Sequence, residues 1–345
     1  MGSRSLLRPG KLPPDVLAEL LGRIPHRDPR VLLGPAVGRD AAVIDIGGGR
    51  VLVAKTDPVT FAAEDIGWYA INVNANDVAC MGARPAWVMA TALLPPGAPA
   101  DLAGTIFDQI LRATDALGIE LVGGHTEVTI GLDRPIVVGA MLGEAACDEI
   151  VTGEGIVAGD AVVLAGGIAI EGTALLAREA EDALLSAGLS SDDVSAARAL
   201  LYRPGISVVA AATALRVATK PRLMHDPTEG GLATALQEMA AAAGHSLRIE
   251  LGAVSVRPET KMVCDALGLD PLGLLASGAL LAIVPRADAG HVTGIDKPST
   301  FREIGTVEAG AGEVIMGTGD TPFPMFDRDE LARFFEGTAG GERSE

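Results

Sequence analysis

Short apolar runs ending in glycine alternate along this chain with longer stretches of helical spacing. Residues 13–23, PPDVLAELLGR, read as a short amphipathic helix after a flexible basic tail. AAVIDI (41–46) and VLVAKTD (51–57) are strand-like, and the three glycines between them, Gly47 to Gly49, make the pair a hairpin. Helices are predicted over 64–81 and 99–117; in the second, Leu102, Ile106, Ile110 and Leu117 recur at helical spacing. Strands follow at 120–124 (ELVGG) and 135–145 (PIVVGAMLGEA). The pattern restarts near 150, where VTGEGIVAGD carries the turn residues of a linker and AVVLAGG begins a second strand–helix series. Helices over 171–187, 204–219 and 229–243 and strands near 247–251 and 279–284 complete it, and the end, GTAGGERSE, reads as disordered. The expected architecture is α/β (α+β) in two halves, 1–150 and 151–345.

Composition narrows the function classes. With 345 residues, 48% of them hydrophobic, the chain has enough apolar surface for two cores. No apolar run reaches the roughly 18 residues of a membrane span, and the longest, 273–284, is interrupted by Ser277 and Gly278. Cys80, Cys147 and Cys264 are scattered and form neither a zinc spacing nor a disulfide framework, so a cytoplasmic protein is expected. A net charge of -18 argues against a nucleic-acid partner. An anionic substrate in that field needs a divalent cation or backbone N–H groups beside it.

Phosphate-binding and hydrolase motifs of the common kinds are absent, and what stands out instead is a set of aspartates in apolar surroundings. Asp40 opens one hairpin strand and Asp57 closes the other, which puts them near the same end of a sheet; Asp77 falls inside a helix rich in alanine. Carboxylates converging there make a hard oxygen site suited to Mg²⁺. Each aspartate alone also fits an ordinary cap or turn, a reading that Asp77, in mid-helix, weakens. Asn72 and Asn76 share a helix face next to Asp77, which is either a polar solvent face or a buried one whose amides need partners that a phosphate–magnesium group would supply. In MHDPTEGGLATALQEMAAAAG (224–244), Thr228 reads as an N-cap, with Gly230 and Gly231 in the first turn. Glycines there either open bare N–H groups to an anion or permit close packing. IAIEGTALLA (168–177), with Glu171 at its turn, has the same character.

Taken in order, GRDAAVID, KTDP, NANDVACMGARP, GGHTEV and HDPTEGGLATAL resemble the aminoimidazole ribonucleotide (AIR) synthetase superfamily, over about residues 10–320. That superfamily includes selenophosphate synthetase, thiamine-monophosphate kinase and the hydrogenase maturation factor HypE. The resemblance implies an N-terminal domain dimerised through a β-barrel and a C-terminal α/β domain. It also implies ATP held in a cleft through Mg²⁺ on aspartates. Position by position, it makes Asp40, Asp57 and Asp77 the metal–phosphate ligands and Asn76 their hydrogen-bonding neighbour. His225, Asp226, Thr228, Gly230 and Gly231 become a loop of the second half facing the cleft, with His225 and Asp226 candidates for catalysis. At GGHTEV the chain matches the G-G-H of selenophosphate synthetase rather than the G-D-T of the kinases and HypE. The resemblance thus sets His125 on the phosphate side as a donor or neutral neighbour of the metal, imidazole being a poorer Mg²⁺ ligand than carboxylate. Lys11 is a candidate to fold over the phosphates, or a solvated tail residue.

HypE is the nearest overall likeness, but HypE proteins end in a cysteine and this chain ends GGERSE. The expectation is an ATP- and Mg²⁺-dependent, HypE-like homodimer without that cysteine, which activates or phosphorylates an oxygen of a small-molecule substrate. The alternatives are a thiamine-monophosphate-kinase-like phosphotransferase and a nucleotide-binding metalloenzyme-assembly factor without turnover.

Overall fold

The computed structural model describes residues 12–25, 27–36, 41–60, 62–319 and 321–341. The first half runs α1 (Pro14–Leu21), β1 (Val31–Leu33), β2 (Ala42–Gly47), β3 (Arg50–Val59), α2 (Ile66–Cys80), β4 (Arg84–Leu94), α3 (Leu102–Leu117), β5 (Glu120–Val128) and β6 (Ile136–Ala146). Its six strands form one sheet in the order β1-β2-β3-β6-β4-β5, in which only β4 and β5 run parallel. The second half begins with β7 (Ala161–Ala165), α4 (Ile170–Glu179), α5 (Glu181–Ser186), α6 (Ser191–Ala199), α7 (Val209–Ala218) and β8 (Leu223–His225). It continues through α8 (Gly231–Ala243), β9 (Ser246–Ile249), α9 (Pro258–Leu267), β10 (Leu280–Val284), α10 (Ala289–Val292), β11 (Phe301–Glu308), β12 (Val314–Met316), β13 (Thr321–Pro322) and α11 (Glu330–Gly341). Its sheet has the order β13-β12-β9-β11-β7-β10-β8. Among the described residues no single helix is long and apolar enough to cross a membrane.

The hairpin forms as its glycines predict, with Ala42 opposite Ala54 and Gly47 opposite Arg50. The helix expected over 171–187 is instead two helices broken at Ala180, where φ is -130° and ψ 31°. The helix expected from 204 starts only at Val209, because Pro204 and Gly205 belong to a separate turn ahead of it. The end expected to be disordered is helical as far as Gly341. The tail expected ahead of α1, with Lys11, lies outside the described residues.

α2 organises the molecule. Thirteen of its fifteen residues are buried, Asn72, Asn74, Asn76 and Asp77 among them, because the helix is packed on nearly every side. Ala70, Ile71, Ala75 and Val78 pack on the first sheet, Tyr69 enters the core around α4, α6 and α9, and Ala79 and Cys80 meet the face of the second sheet that carries α7. Close approach to the first sheet depends on two glycines of β6: a Cβ on Gly139 would lie 2.5 Å from Asn74 Nδ2, and one on Gly143 2.3 Å from Val78 Cγ1. β6 alternates strictly along its length: Val137, Gly139 and Met141 are buried beneath α2, whereas Ile136, Val138, Ala140 and Leu142 are only half-buried on the opposite face.

Candidate functional site

β3 ends on the helix side of the sheet. Lys55 pairs with Met141 and Asp57 with Gly139, both buried positions of β6, so the two side chains share the face that α2 covers. There Lys55 Nζ stands 2.8 Å from Asp77 Oδ2 and 3.4 Å from Asp57 Oδ2. Asp77 is nearly enclosed and Asp57 is half-exposed, so the ammonium bridges a buried carboxylate and one that reaches solvent. Asp40, the third expected member, lies outside the described residues. Lys55 is the member that sequence reasoning missed, although a lysine inside an apolar strand, at the parity of the core, was the available signal.

The asparagines of α2 have other partners than those expected. Asn72 Nδ2 donates to the Trp68 carbonyl at 2.9 Å, within its own helix. Asn76 is fully buried; its Nδ2 donates to the Ile206 carbonyl at 2.9 Å and its Oδ1 accepts the Val208 N–H at 2.8 Å. Both ends of that amide therefore tie α2 to the segment leading into α7, and a phosphate–magnesium group is not what satisfies them.

β8 sends its two candidates to different helices: Asp226, just past its end, meets α2, while His225, paired with Leu281, faces α8 on the other side of the second sheet. Cys80, one turn beyond Asp77, has its Sγ 3.7 Å from Asp226 Oδ1, so the buried Asp226 carboxylate meets α2 from the second half. His225 Nε2 is 2.9 Å from Glu238 Oε2 of α8, the arrangement in which a carboxylate orients an imidazole. Thr228 is not the cap of α8. That position belongs to Gly230, at φ 78°, and the Thr228 carbonyl instead accepts the Gly231 N–H at 3.0 Å. Gly231, at φ 62°, has no room for a side chain, since a Cβ would lie 2.6 Å from the Leu272 carbonyl oxygen and 2.7 Å from that of Leu274. Close packing explains this glycine. The Gly230 N–H is already engaged, donating to Asp329 Oδ2 at 2.6 Å. Burial lifts the Asp329 carboxyl to about 6 in spite of the N–H groups of Gly230, Leu331 and Leu275 that favour its ionised form.

His125 stands apart. Its pairing with Thr91, and that of Glu127 with Leu93, put both residues on the face of the sheet opposite α2 and away from Lys55, Asp57 and Asp77. There His125 Nε2 lies 3.1 Å from Glu127 Oε2, and Thr129 Oγ1 donates to Glu127 Oε1 at 2.6 Å. These contacts hold the Glu127 carboxyl below its usual range, Thr129 having the larger effect. Expected together in one cleft, the site residues divide into Lys55, Asp57 and Asp77 at α2, His225 with Glu238 on α8, and His125 with Glu127 on the open face of the first sheet.

Comparison with known proteins follows the same two halves. The AIR synthase related protein N-terminal domain matches residues 38–145, and the corresponding C-terminal domain matches 157–317. The carbamoyl dehydratase HypE of Rhodobacter capsulatus is 34% identical over 247 residues, 67% of this chain and 65% of that protein, so the chain spans slightly under two thirds of that relative. Among solved structures, a ThiL complexed with AMPPCP and TMP superposes with a TM-score of 0.70 at 21% identity, over 91% of this chain and 94% of that one. A hydrogenase maturation protein HypE in complex with ATP gives 0.65 at 24%, over 88% and 92%. At those identities the structures establish the fold. With family matches spanning both sheets and the helix between them, the chain belongs to the AIR synthase related family.

Proposed function

We propose that the protein binds ATP with Mg²⁺ at the Lys55–Asp57–Asp77 cluster and transfers the terminal phosphoryl group to an oxygen of a small acceptor. The observation that carries this reading is the cluster itself, a buried carboxylate and an exposed one held together by an ammonium at the junction of the two halves. Its donor set fits the ion: Mg²⁺ takes hard oxygen ligands, commonly one or two carboxylates plus phosphate oxygens. No group of three or more candidate ligands occurs among the described residues, and two carboxylates meet that need, with Asp40 as the third on the family resemblance. The ion supplies charge neutralisation on the phosphates. The chain's own residues do the rest. Asp57 and Asp77 hold the ion, Lys55 keeps the carboxylates balanced before nucleotide arrives and then faces the phosphates, and Asn76 fixes α2 against the second half. His225 donates its Nε2–H to Glu238, which fixes the tautomer and leaves Nδ1 as the nitrogen that takes or returns a proton.

The relatives support this reading, since HypE and ThiL proteins of the same fold have been solved with ATP or its analogue AMPPCP. The half-buried apolar face of the first sheet, with Val138, Ala140, Leu142 and Met89, supports a homodimer, which covers that face and brings His125 and Glu127 against the partner protomer. Three free cysteines are in keeping with a reducing cytoplasm. Calorimetric titration with ATP, with and without Mg²⁺, tests the reading. Mg²⁺-dependent binding that Asp57→Asn abolishes, with ADP formed only when an acceptor is added, is the expected result. Equal affinity in the wild type and Asp57→Asn refutes the metal assignment.

A further inference from the structure

Away from Lys55, Asp57 and Asp77, a second group of polar side chains is buried where α2 of the first half meets α4 of the second. Glu171 sits in the first turn of α4, 6% exposed, after Ala169, one of only two non-glycine residues with positive φ among the described residues. Its Oε2 has no hydrogen-bond partner there; neither does Oγ of Ser277, which is 0% exposed, nor the hydroxyl of Tyr69, which is 1% exposed. The three lie together: the Gly172 N–H beside Glu171 donates to the Leu275 carbonyl two residues before Ser277, and Tyr69 packs in the same core as Ala169 and Ile170. Ser277 lies against the Glu171 carboxyl, and its hydroxyl and backbone N–H both draw the pKa down, although neither Oε2 of Glu171 nor Oγ of Ser277 has a bond of ordinary geometry. Tyr69 reaches in from α2 and feels the Glu171 charge most strongly after its own burial.

The charge around Glu171 is one-sided. Burial is the largest influence on it and lifts its pKa to about 7; Asp329 and Glu229, both half-exposed at the edge of the pocket, lift it further, and only Ser277 opposes them. Arg178, Asp65 and Tyr202 act on Tyr69, and no cation is among the groups that shift Glu171 most. A first-turn carboxylate at a helix N-terminus is ordinarily favoured by the dipole, which here is outweighed by burial. A buried carboxylate oxygen and two buried hydroxyls, none satisfied by the protein, are an expensive arrangement for folding alone. Such arrangements mark places where a ligand supplies the missing bonds.

We propose that Glu171, Ser277 and Tyr69 form the acceptor pocket and that they take a positively charged, N–H-rich group of the acceptor, of the amidinium, guanidinium or primary ammonium class. The pocket rests on the reading of the protein as an ATP-dependent enzyme for its role, but not for its binding chemistry. The carboxylate accepts two parallel N–H donors from a planar cation, and the hydroxyls of Ser277 and Tyr69 accept or donate to the remainder. Glu229 and Asp329 at the rim add attraction for a cation and repel an anion.

The test uses the full chain and acetamidine as the probe, with neutral acetamide and anionic acetate as controls, in calorimetric titrations at pH 8 and pH 6. Acetamidine is expected to bind the wild type at pH 8, about tenfold more weakly in Glu171→Gln and at pH 6, with neither control binding. Tyr69→Phe, which keeps the ring, is expected to lie between. Absence of acetamidine binding at pH 8, or equal affinity in the wild type and Glu171→Gln, overturns the proposal; should Glu171→Gln fail to fold, equal affinity at the two pH values and in Tyr69→Phe does so. Mg-ATP is titrated into the same samples. Glu171→Gln that loses acetamidine but keeps Mg-ATP supports the pocket, while a wild type that binds acetamidine but not Mg-ATP retains the pocket and removes the enzyme reading.

Discussion

Replacing Glu171 with glutamine should make the protein more stable as the pH rises, relative to the wild type. The Glu171 carboxyl stands at about 7 against an ordinary 4.5. A raised acid pKa means that the folded state holds the proton more tightly than the unfolded one. The resulting stabilisation is fully present below the unfolded value and is lost as pH climbs through the folded value. The difference of about 2.5 units corresponds to about 3 kcal/mol at about 1.4 kcal/mol per unit. Glutamine does not titrate, so that amount drops out of the mutant. Its buried amide has a desolvation cost of its own, about 1–3 kcal/mol, and this makes the absolute stability of the mutant a poor measure. The change in the difference between mutant and wild type from pH 5 to pH 8 is free of that term. Asp329, lifted to about 6, titrates in both proteins and largely cancels. For 345 residues, at about 2.1 cal/mol/K of unfolding entropy each, 3 kcal/mol is a shift of about 4 °C in the difference between the two melting temperatures. Differential scanning calorimetry at pH 5, 6, 7 and 8 reads it directly. A difference that stays constant within a degree across that range shows that Glu171 ionises normally, which means a wet pocket and no unmet demand for a cation.

Four further outcomes are expected. Lys55→Met removes the ammonium from the nearly enclosed Asp77 carboxylate and should destabilise by about 3 kcal/mol in urea unfolding, with Mg²⁺ restoring more of the loss than it adds to the wild type; equal Mg²⁺ effects refute a shared cation site. Asn76→Ala leaves the Ile206 carbonyl and the Val208 N–H without their side-chain partner, at about 1–3 kcal/mol each, and hydrogen exchange should rise first at Val208. Glu238→Gln should lower turnover about tenfold and shift its pH profile while leaving Mg-ATP affinity unchanged; an unaltered pH profile separates Glu238 from His225. Leu142→Glu on the open sheet face should convert a dimer to a monomer in sedimentation, and an unchanged sedimentation coefficient places the contact elsewhere.

Much of the first half was legible because its signals are local. Three glycines closed the hairpin, and the apolar spacing of Ile106 and Ile110 placed α3. β4 was missed. RPAWVMATALL is a nearly unbroken apolar run, and such runs do not separate strand from helix by period. α6 had a readable start, since Ser190 caps it and Asp193 returns the bond, but the capping box was overlooked. β11 carries Arg302 and Glu303 amid its apolar residues, which blurred the alternation. At the site, Asp57 and Asp77 were visible because acids in apolar segments are costly without a partner. Asp329 was not, because nothing local links it to Gly230, 99 residues earlier. The face of His125 followed from register with β4, and a strand whose pairing is unknown does not reveal which side it presents.

α2 connects the two proposed binding chemistries. Tyr69 and Asp77 are eight residues apart on this helix, about 12 Å along its axis, with Tyr69 in the Glu171 pocket and Asp77 on Lys55. Because α2 is buried on nearly every side and tied at Asn76, it does not tilt without disturbing both cores. A cation in the pocket and a metal–phosphate group on Asp77 are therefore held at a separation set by the backbone of one helix rather than by loops. Phosphoryl transfer depends on such fixed placement more than on any covalent role for the protein. Gly139 makes the arrangement sensitive to a single methyl group. A Cβ there meets Asn74 Nδ2 at 2.5 Å, so Gly139→Ala must lift α2 from the sheet or displace Asn74. Such a lift moves Asp77 and Tyr69 together, and both Mg-ATP and acetamidine should bind more weakly in that one variant. Loss of one affinity with the other intact means that the helix does not act as a rigid spacer.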